Sequence, residues 1–159
     1  MKSLIADGDT RWINRGAYDL VGANPSADRS SADLPRARAL YGTLAEQIEH
    51  PGSFAWELRK MLRARSAYRI NESEQIDVPA VKARGLVVMV HRLSEARGIQ
   101  VTALNFARTA VRETVTIKGA RAGAEVGDLV EEKVTGKVDG VGRLPLALGP
   151  HEGRAFIIK

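Results

Sequence analysis

Gly85-Leu86-Val87-Val88-Met89-Val90-His91, then Glu95-Ala96-Arg97-Gly98, then Ile99-Gln100-Val101-Thr102-Ala103-Leu104-Asn105-Phe106 is the stretch on which the fold turns. The two outer runs are rich in β-branched residues and alternate in polarity, so they read as strands. The polar quartet between them reads as the connection of a hairpin. Downstream, the same pattern recurs in short pieces over 112–118, 124–129, 143–148 and 154–158, with Gly119, Gly123, Gly127, Gly136, Gly140, Gly142 and Gly149 among the connections. Short strands at this spacing predict an antiparallel β-sandwich. Pro145 has no N–H to give to a ladder, so it belongs on an edge.

Upstream of the hairpin the period is helical. Ser53 predicts an N-cap for a helix over 54–68, because its hydroxyl accepts a backbone N–H left unpaired in the first turn. Phe54, Leu58, Met61, Leu62 and Arg65 stack on one side of that helix, and Glu57, Arg59, Lys60 and Arg63 on the side expected in solvent. Burying any one of the apolar side chains is worth about 1.5 to 3 kcal/mol, so the stripe needs a partner surface. A shorter helix is expected over 44–48 before the break at Pro51-Gly52. Another is expected over 36–41, capped by Asp33 and ended by Gly42. Residues 1–35 show no sustained period and read as an irregular arm. The expected division is an arm with short helices over 1–50, a helical segment over 51–72 and a mainly β domain over 73–159.

A chain of 159 residues can bury about 68% of the surface its unfolded form exposes, enough for a core without staples. It has no cysteine, which excludes disulfides, thiolate ligands and cysteine nucleophiles. That composition suits a reducing interior. No run resembles a signal peptide or a spanning helix, so the expectation is a soluble, cytoplasmic protein without membrane partners. The formal charge of +5 comes from 24 Lys and Arg against 19 Asp and Glu, interspersed along the chain. Arg36, Arg38, Arg59, Arg63 and Arg65 lack interleaved aromatics to stack bases, so no nucleic-acid partner is expected.

The chemical motifs are few. Asp7-Gly8-Asp9 lacks the rest of a calcium loop, since Arg11 stands where the next oxygen ligand belongs. His50, His91 and His151 show no metal-ligand spacing. Asp128 with Glu131-Glu132 places carboxylates near one another beside a turn, where a solvated rim is the expected role. Gly119-Ala120-Arg121-Ala122-Gly123 lacks the Lys-Ser/Thr end of a phosphate loop. Asn71-Glu72-Ser73 matches a glycosylation acceptor that has no consequence without export. Hence no catalytic residue, metal ligand or cofactor is assigned. Trp12, Asn14, Arg15, Tyr18 and Asp19 form the most sugar-like cluster: an aromatic face covers the apolar side of a pyranose while polar groups bond its hydroxyls. Anchoring of the arm by Trp12 and Tyr18 is the competing reading.

Residues 9–20, Asp-Thr-Arg-Trp-Ile-Asn-Arg-Gly-Ala-Tyr-Asp-Leu, followed by Leu34-Pro35-Arg36-Ala37-Arg38-Ala39-Leu40-Tyr41-Gly42, resemble the late part of the alpha-amylase superfamily, glycoside hydrolase family 13, especially trehalose synthases and related maltose-processing enzymes. The stretch 53–65 looks like the last barrel helix of that family. Leu104-Asn105-Phe106 looks like a strand of its C-terminal Greek-key domain. The resemblance implies that 1–50 correspond to late barrel loops and that the sandwich is a Greek key. It also implies an enzyme converting maltose to trehalose by glucosyl transfer, with an aspartate nucleophile, a glutamate acid/base and a stabilising aspartate. None of the three matches a residue here, and a (β/α)8 barrel needs about 250 residues. The expectation is therefore a non-catalytic accessory region that either pairs with a barrel supplied elsewhere or self-associates. Two alternatives are an autonomous carbohydrate-binding module for maltose, trehalose or alpha-glucan, and an inert remnant.

Overall fold

The computed structural model describes residues 42–159. The predicted arm, the helix over 36–41 and the Trp12, Asn14, Arg15, Tyr18 and Asp19 cluster lie outside these residues. The chain divides into two units, Met1–Lys60 and Met61–Lys159.

In the first unit, α1 spans Leu44–Glu49 and opens with a reciprocal cap. Glu46 N–H donates to Thr43 Oγ1 at 3.3 Å, and Thr43 N–H donates to Glu46 Oε2 at 2.7 Å. This Thr-x-x-Glu pairing satisfies two otherwise orphaned donors. Helix α2 spans Phe54–Ala67 and runs on into the second unit. Ser53 caps it as expected, accepting from Trp56 N–H at 3.2 Å. Among the described residues no helix is long and apolar enough to cross a membrane.

The second unit holds eight strands: β1 Glu74–Asp77, β2 Leu86–Arg92, β3 Ile99–Asn105, β4 Val111–Thr116, β5 Glu125–Asp128, β6 Lys133–Lys137, β7 Arg143–Leu148 and β8 Gly153–Ile158. Six form one sheet in the order β1-β2-β3-β8-β5-β6, and β4 pairs with β7 in a second. All pairings are antiparallel. With its two helices, the described architecture mixes α and β elements.

Alternation explains the core. On β7 Leu144, Leu146 and Leu148 are buried while Arg143, Pro145 and Ala147 are exposed, the period-2 rule of a one-sided strand. Those leucines join Val88 and Val90 of β2, Val101 of β3, Val115 of β4 and Phe156 and Ile158 of β8, so both sheets feed one core. Pro145 stands on an edge strand, paired through β4 alone. Strand β8 ends in three buried residues in a row because its sheet is covered on both faces. Phe156 and Ile158 enter the shared core, whereas Ile157 enters a second cluster with Ala64, Leu93 and Leu129.

That second cluster corrects the expected solvent face of α2, while the apolar stripe stays open as expected for the chain without a partner. The helix touches the cluster through Ala64, off the predicted stripe. Phe54, Met61 and Leu62 are 73%, 50% and 55% exposed, and Leu58 and Arg65 are exposed too. Conversely Glu57, Arg59 and Lys60, expected in solvent, are half-buried, and only Arg63 is fully out. The physical reason is size: a methyl side chain lets a helix backbone approach Leu93 and Ile157 closely, which a leucine at that position would prevent.

The hairpin connection is tighter than a plain polar loop. Ser94–Ala96 form a 3-10 turn with Glu95 and Ala96 in the left-handed region, at φ of 56° and 55°. Leu93 N–H donates to Gly98 O at 3.0 Å to close it. Arg97 Nη1 reaches Ala67 O at 2.9 Å, and the Glu95 carboxylate takes both Arg97 and Arg69. The hairpin tip is thus tied to the end of α2.

Candidate functional site

The described histidines stay apart. His50 is exposed at the end of α1, where its N–H donates to Gln47 O at 3.2 Å. His151 is exposed in the turn before β8 with φ of 55°, and its N–H donates to Ala107 O at 3.2 Å. His91 lies half-buried on β2 opposite Gln100, and both His91 Nδ1 and Gln100 Oε1 are buried without a hydrogen-bond partner. Among the described residues no group of three or more His, Asp or Glu could hold a metal ion.

The carboxylate group resolves into a turn. Asp128 is 8% exposed at the end of β5 and accepts at Oδ1 from Val130 and Glu131 N–H, both at 3.0 Å. Its Oδ2 takes Arg154 Nη2 at 3.0 Å. Burial is the largest influence on this carboxyl and pushes it up. The N–H of Glu131, the Arg154 guanidinium and the N–H of Val130 together outweigh it and hold Asp128 below the ordinary aspartate range. Glu131 and Glu132 lie in the turn leading to β6, and Glu132 has φ of 54°. A retaining pair needs two opposed carboxyls about 5 to 5.5 Å apart with oxygens free to react; here both oxygens of Asp128 are occupied, one by the turn and one by Arg154.

Asn105, from the strand that resembles the family's Greek-key domain, is 2% exposed. Its Nδ2 donates to Thr109 O at 2.9 Å and Gly149 O at 2.7 Å, while its Oδ1 accepts from Ala107 N–H at 3.0 Å. This is a knot between two loops, with no polar atom left for a ligand. Arg59, one of the arginines weighed for nucleic acid, reaches Ile48 O at 3.4 Å and Glu49 at 3.6 Å. Arg63 and Arg65 are exposed, and Arg36 and Arg38 lie outside the described residues.

Concavity gathers at one end of the six-stranded sheet. A groove of about 800 Å³ crosses the ends of β1, β2, β3 and β8 beneath the 119–124 loop. Its floor includes Ile76, Ile99, Ala120 and Ala124, each partly buried against the shared core. Its charged lining is Arg92, Arg121 and Lys159. Gly119 and Gly123 bend the loop with φ of 83° and 76°, values that favour glycine. A second cleft, of about 300 Å³, is lined by Tyr68 with Asp128, Glu132, Lys133 and Lys159. There Lys159 Nζ lies 5.1 Å from the centre of the Tyr68 ring. In the sequence the Gly119–Gly123 segment reads as a strand connection without the end of a phosphate loop and gives no sign of the groove, whose described walls come from four segments well apart in the chain.

No family model matches the chain, and no curated protein matches it in sequence. Solved structures are similar to it in fold. An alpha-amylase from Anoxybacillus superimposes with a TM-score of 0.55 over 83% of this chain and 26% of its own, at 11% identity. An alpha-amylase from Geobacillus thermoleovorans, solved with acarbose, does so with a TM-score of 0.55 over 84% and 27%, at 12% identity. A candidate alpha-N-acetylgalactosaminidase from Bacillus halodurans C-125 gives 0.52 over 63% and 24%, at 10% identity. The chain spans about a quarter of the length of each of these structures. At such identities the likeness is one of fold, shared with a part of several larger glycoside hydrolases.

Proposed function

We propose that this chain is a non-catalytic accessory region of a maltose-to-trehalose glucosyltransferase of the alpha-amylase superfamily. In this reading residues 73–159 form a Greek-key sandwich, 51–72 the helix that meets a catalytic barrel, and 1–50 a set of late barrel loops. The barrel is carried by another polypeptide or by further sequence, in the cytoplasm. One observation carries the reading: α2 presents Phe54, Leu58, Met61 and Leu62 to solvent. A contiguous apolar stripe of this kind marks an interaction surface. The resemblance of the same segment to the last barrel helix supplies the partner.

The test is complementation. The purified chain is mixed or co-expressed with a barrel polypeptide of the family, and maltose–trehalose interconversion is followed. Recovery of activity only with both components, lost on Leu62→Glu, supports the proposal. Interconversion by this chain alone overturns it. Calorimetry of the isolated chain with maltose, trehalose and longer glucans separates the carbohydrate-module alternative. Saturable heat abolished by Trp12→Ala assigns Trp12, Asn14, Arg15, Tyr18 and Asp19 to sugar and argues against a purely structural role.

A further inference from the structure

We propose that the groove beneath the 119–124 loop binds a small amphiphilic carboxylate, an apolar body ending in a single acidic head. The volume of about 800 Å³ lies within the range of small-molecule sites, which are mostly apolar with a few placed polar groups. The body would lie on Ile76, Ile99, Ala120 and Ala124, the margin of the core left half-open at this end of the sheet.

The head is chosen by charge. Among the described residues the charged side chains of the lining, Arg92, Arg121 and Lys159, are all cations, and two are already engaged: Arg92 pairs with Glu74 at 3.0 Å, and Lys159 lies over the Tyr68 ring. Arg121 is exposed at the groove's lip, and among the described residues its side chain makes no hydrogen bond or ion pair. A guanidinium offers paired donors that match a carboxylate. Other ligand classes fit less well. Among the described residues no aromatic ring lines this groove, so these offer no stacking surface of the kind a pyranose or a nucleobase uses. Among the described residues no Asp, Glu or His side chain lines it either, so the side chains of the lining offer nothing to a hard cation.

The test is an amide NMR titration of the full chain with decanoate, kept below its micelle concentration, against decanol and acetate. The expected result is saturable movement of the Gly119, Ala120, Ala122 and Gly123 signals with decanoate, with decanol and acetate each binding at least about fivefold more weakly. Arg121→Gln is expected to weaken decanoate by about fivefold and leave decanol unchanged, and Arg121→Lys to retain more of the affinity. Because Arg121 is exposed, an unchanged spectrum of the free variant establishes that it is folded. Decanol binding as tightly as decanoate overturns the assignment of the acidic head. No saturable movement of the loop signals, or movement confined to α2, overturns the site.

Discussion

Arg154 donates from Nη2 to Asp128 Oδ2 at 3.0 Å while its guanidinium carbon lies 5.0 Å from the centre of the Phe156 ring. Asp128 stands opposite Phe156 in the β5–β8 register, so one carboxylate joins the strand pairing, the turn after β5 and a core aromatic. Removing it leaves Arg154 and two turn N–H groups without their acceptor. Hydrogen bonds to charged groups contribute about 1.5 to 3 kcal/mol each when little exposed. Asp128→Ala is therefore expected to lower stability by about 2 kcal/mol in urea unfolding, and Asp128→Asn by less because it keeps an acceptor for the turn. Equal, negligible effects from both substitutions would show that the turn holds itself.

Acid should weaken the fold in a defined direction. Asp128 is held low as described above. Glu113 is lowered by the N–H groups of Ala83 and then Lys82, and Asp139 by those of Arg143 and then Val141. A carboxyl whose folded value lies below its unfolded value contributes stability above the unfolded value, near pH 4, and loses it as pH falls through the folded value. The thermal midpoint should thus be flat from about pH 7 to 5 and fall below about pH 4. The combined variant Asp128→Asn, Glu113→Gln, Asp139→Asn should show a shallower fall. A variant slope as steep as the parent's would assign the acid sensitivity to other groups.

What the sequence disclosed follows from where each element is buried. Strands β2, β3, β7 and β8 were legible because burial on at least one face forces apolar residues into register with the pleat. Strands β1 and β6 were missed. Glu74-Gln75-Ile76-Asp77 and Lys133-Val134-Thr135-Gly136-Lys137 are sheet edges; β1 packs only Ile76 against the core and every residue of β6 is exposed, so neither carries an alternating pattern. Lysines at both ends of β6 are what an edge uses against pairing with another chain. Helix α2 was legible in extent but not in its packed face, because Ala64 carries its contact with Leu93 and Ile157 and a single alanine gives no periodic signal. The groove was illegible for a different reason: Ile76, Arg92, Ile99, Arg121 and Lys159 meet only through the sheet order.

Gly98 marks the tightest approach around the hairpin. Its φ is 117°, and a Cβ there would stand 2.3 Å from Ile158 O, a backbone atom that cannot swing away. Gly52 shares a positive φ of 83°, but a Cβ there would meet nothing within 4 Å. Gly52→Ala should then cost about 1 to 2 kcal/mol, the conformational term alone. Gly98→Ala should cost clearly more and raise hydrogen exchange at the β3–β8 edge. Equal costs in chemical denaturation would mean that the two strands part without penalty.

Asn105 offers a test that shape alone cannot pass. Asp is nearly isosteric, yet it would turn a carboxylate oxygen toward Thr109 O and Gly149 O, which now accept from Nδ2. At neutral pH Asn105→Asp should be at least as damaging as Asn105→Ala, about 2 to 4 kcal/mol, since a buried charge facing carbonyls adds to the lost bonds. On acidification the protonated Asp regains one donor, so its deficit relative to Asn105→Ala should narrow. Near-parental stability of Asn105→Asp at pH 7 would refute the knot.

The two sides of α2 should respond in opposite ways. Met61 and Leu62 face solvent, whereas Ala64 is 5% exposed against Leu93, Leu129 and Ile157. Met61→Glu with Leu62→Glu removes apolar surface from water contact and disturbs no packing, so the unfolding free energy should stay within about 0.5 kcal/mol of the parent. Ala64→Leu inserts a bulky side chain into a filled site and should cost about 1 to 3 kcal/mol. Sedimentation velocity then reads the other property. If the exposed stripe drives association, the double glutamate variant should sediment as a monomer at concentrations where the parent self-associates or binds a barrel polypeptide. Ala64→Leu, where still folded, should associate like the parent. A double variant that loses stability as Ala64→Leu does would place the stripe inside the fold and remove the basis for a docking surface.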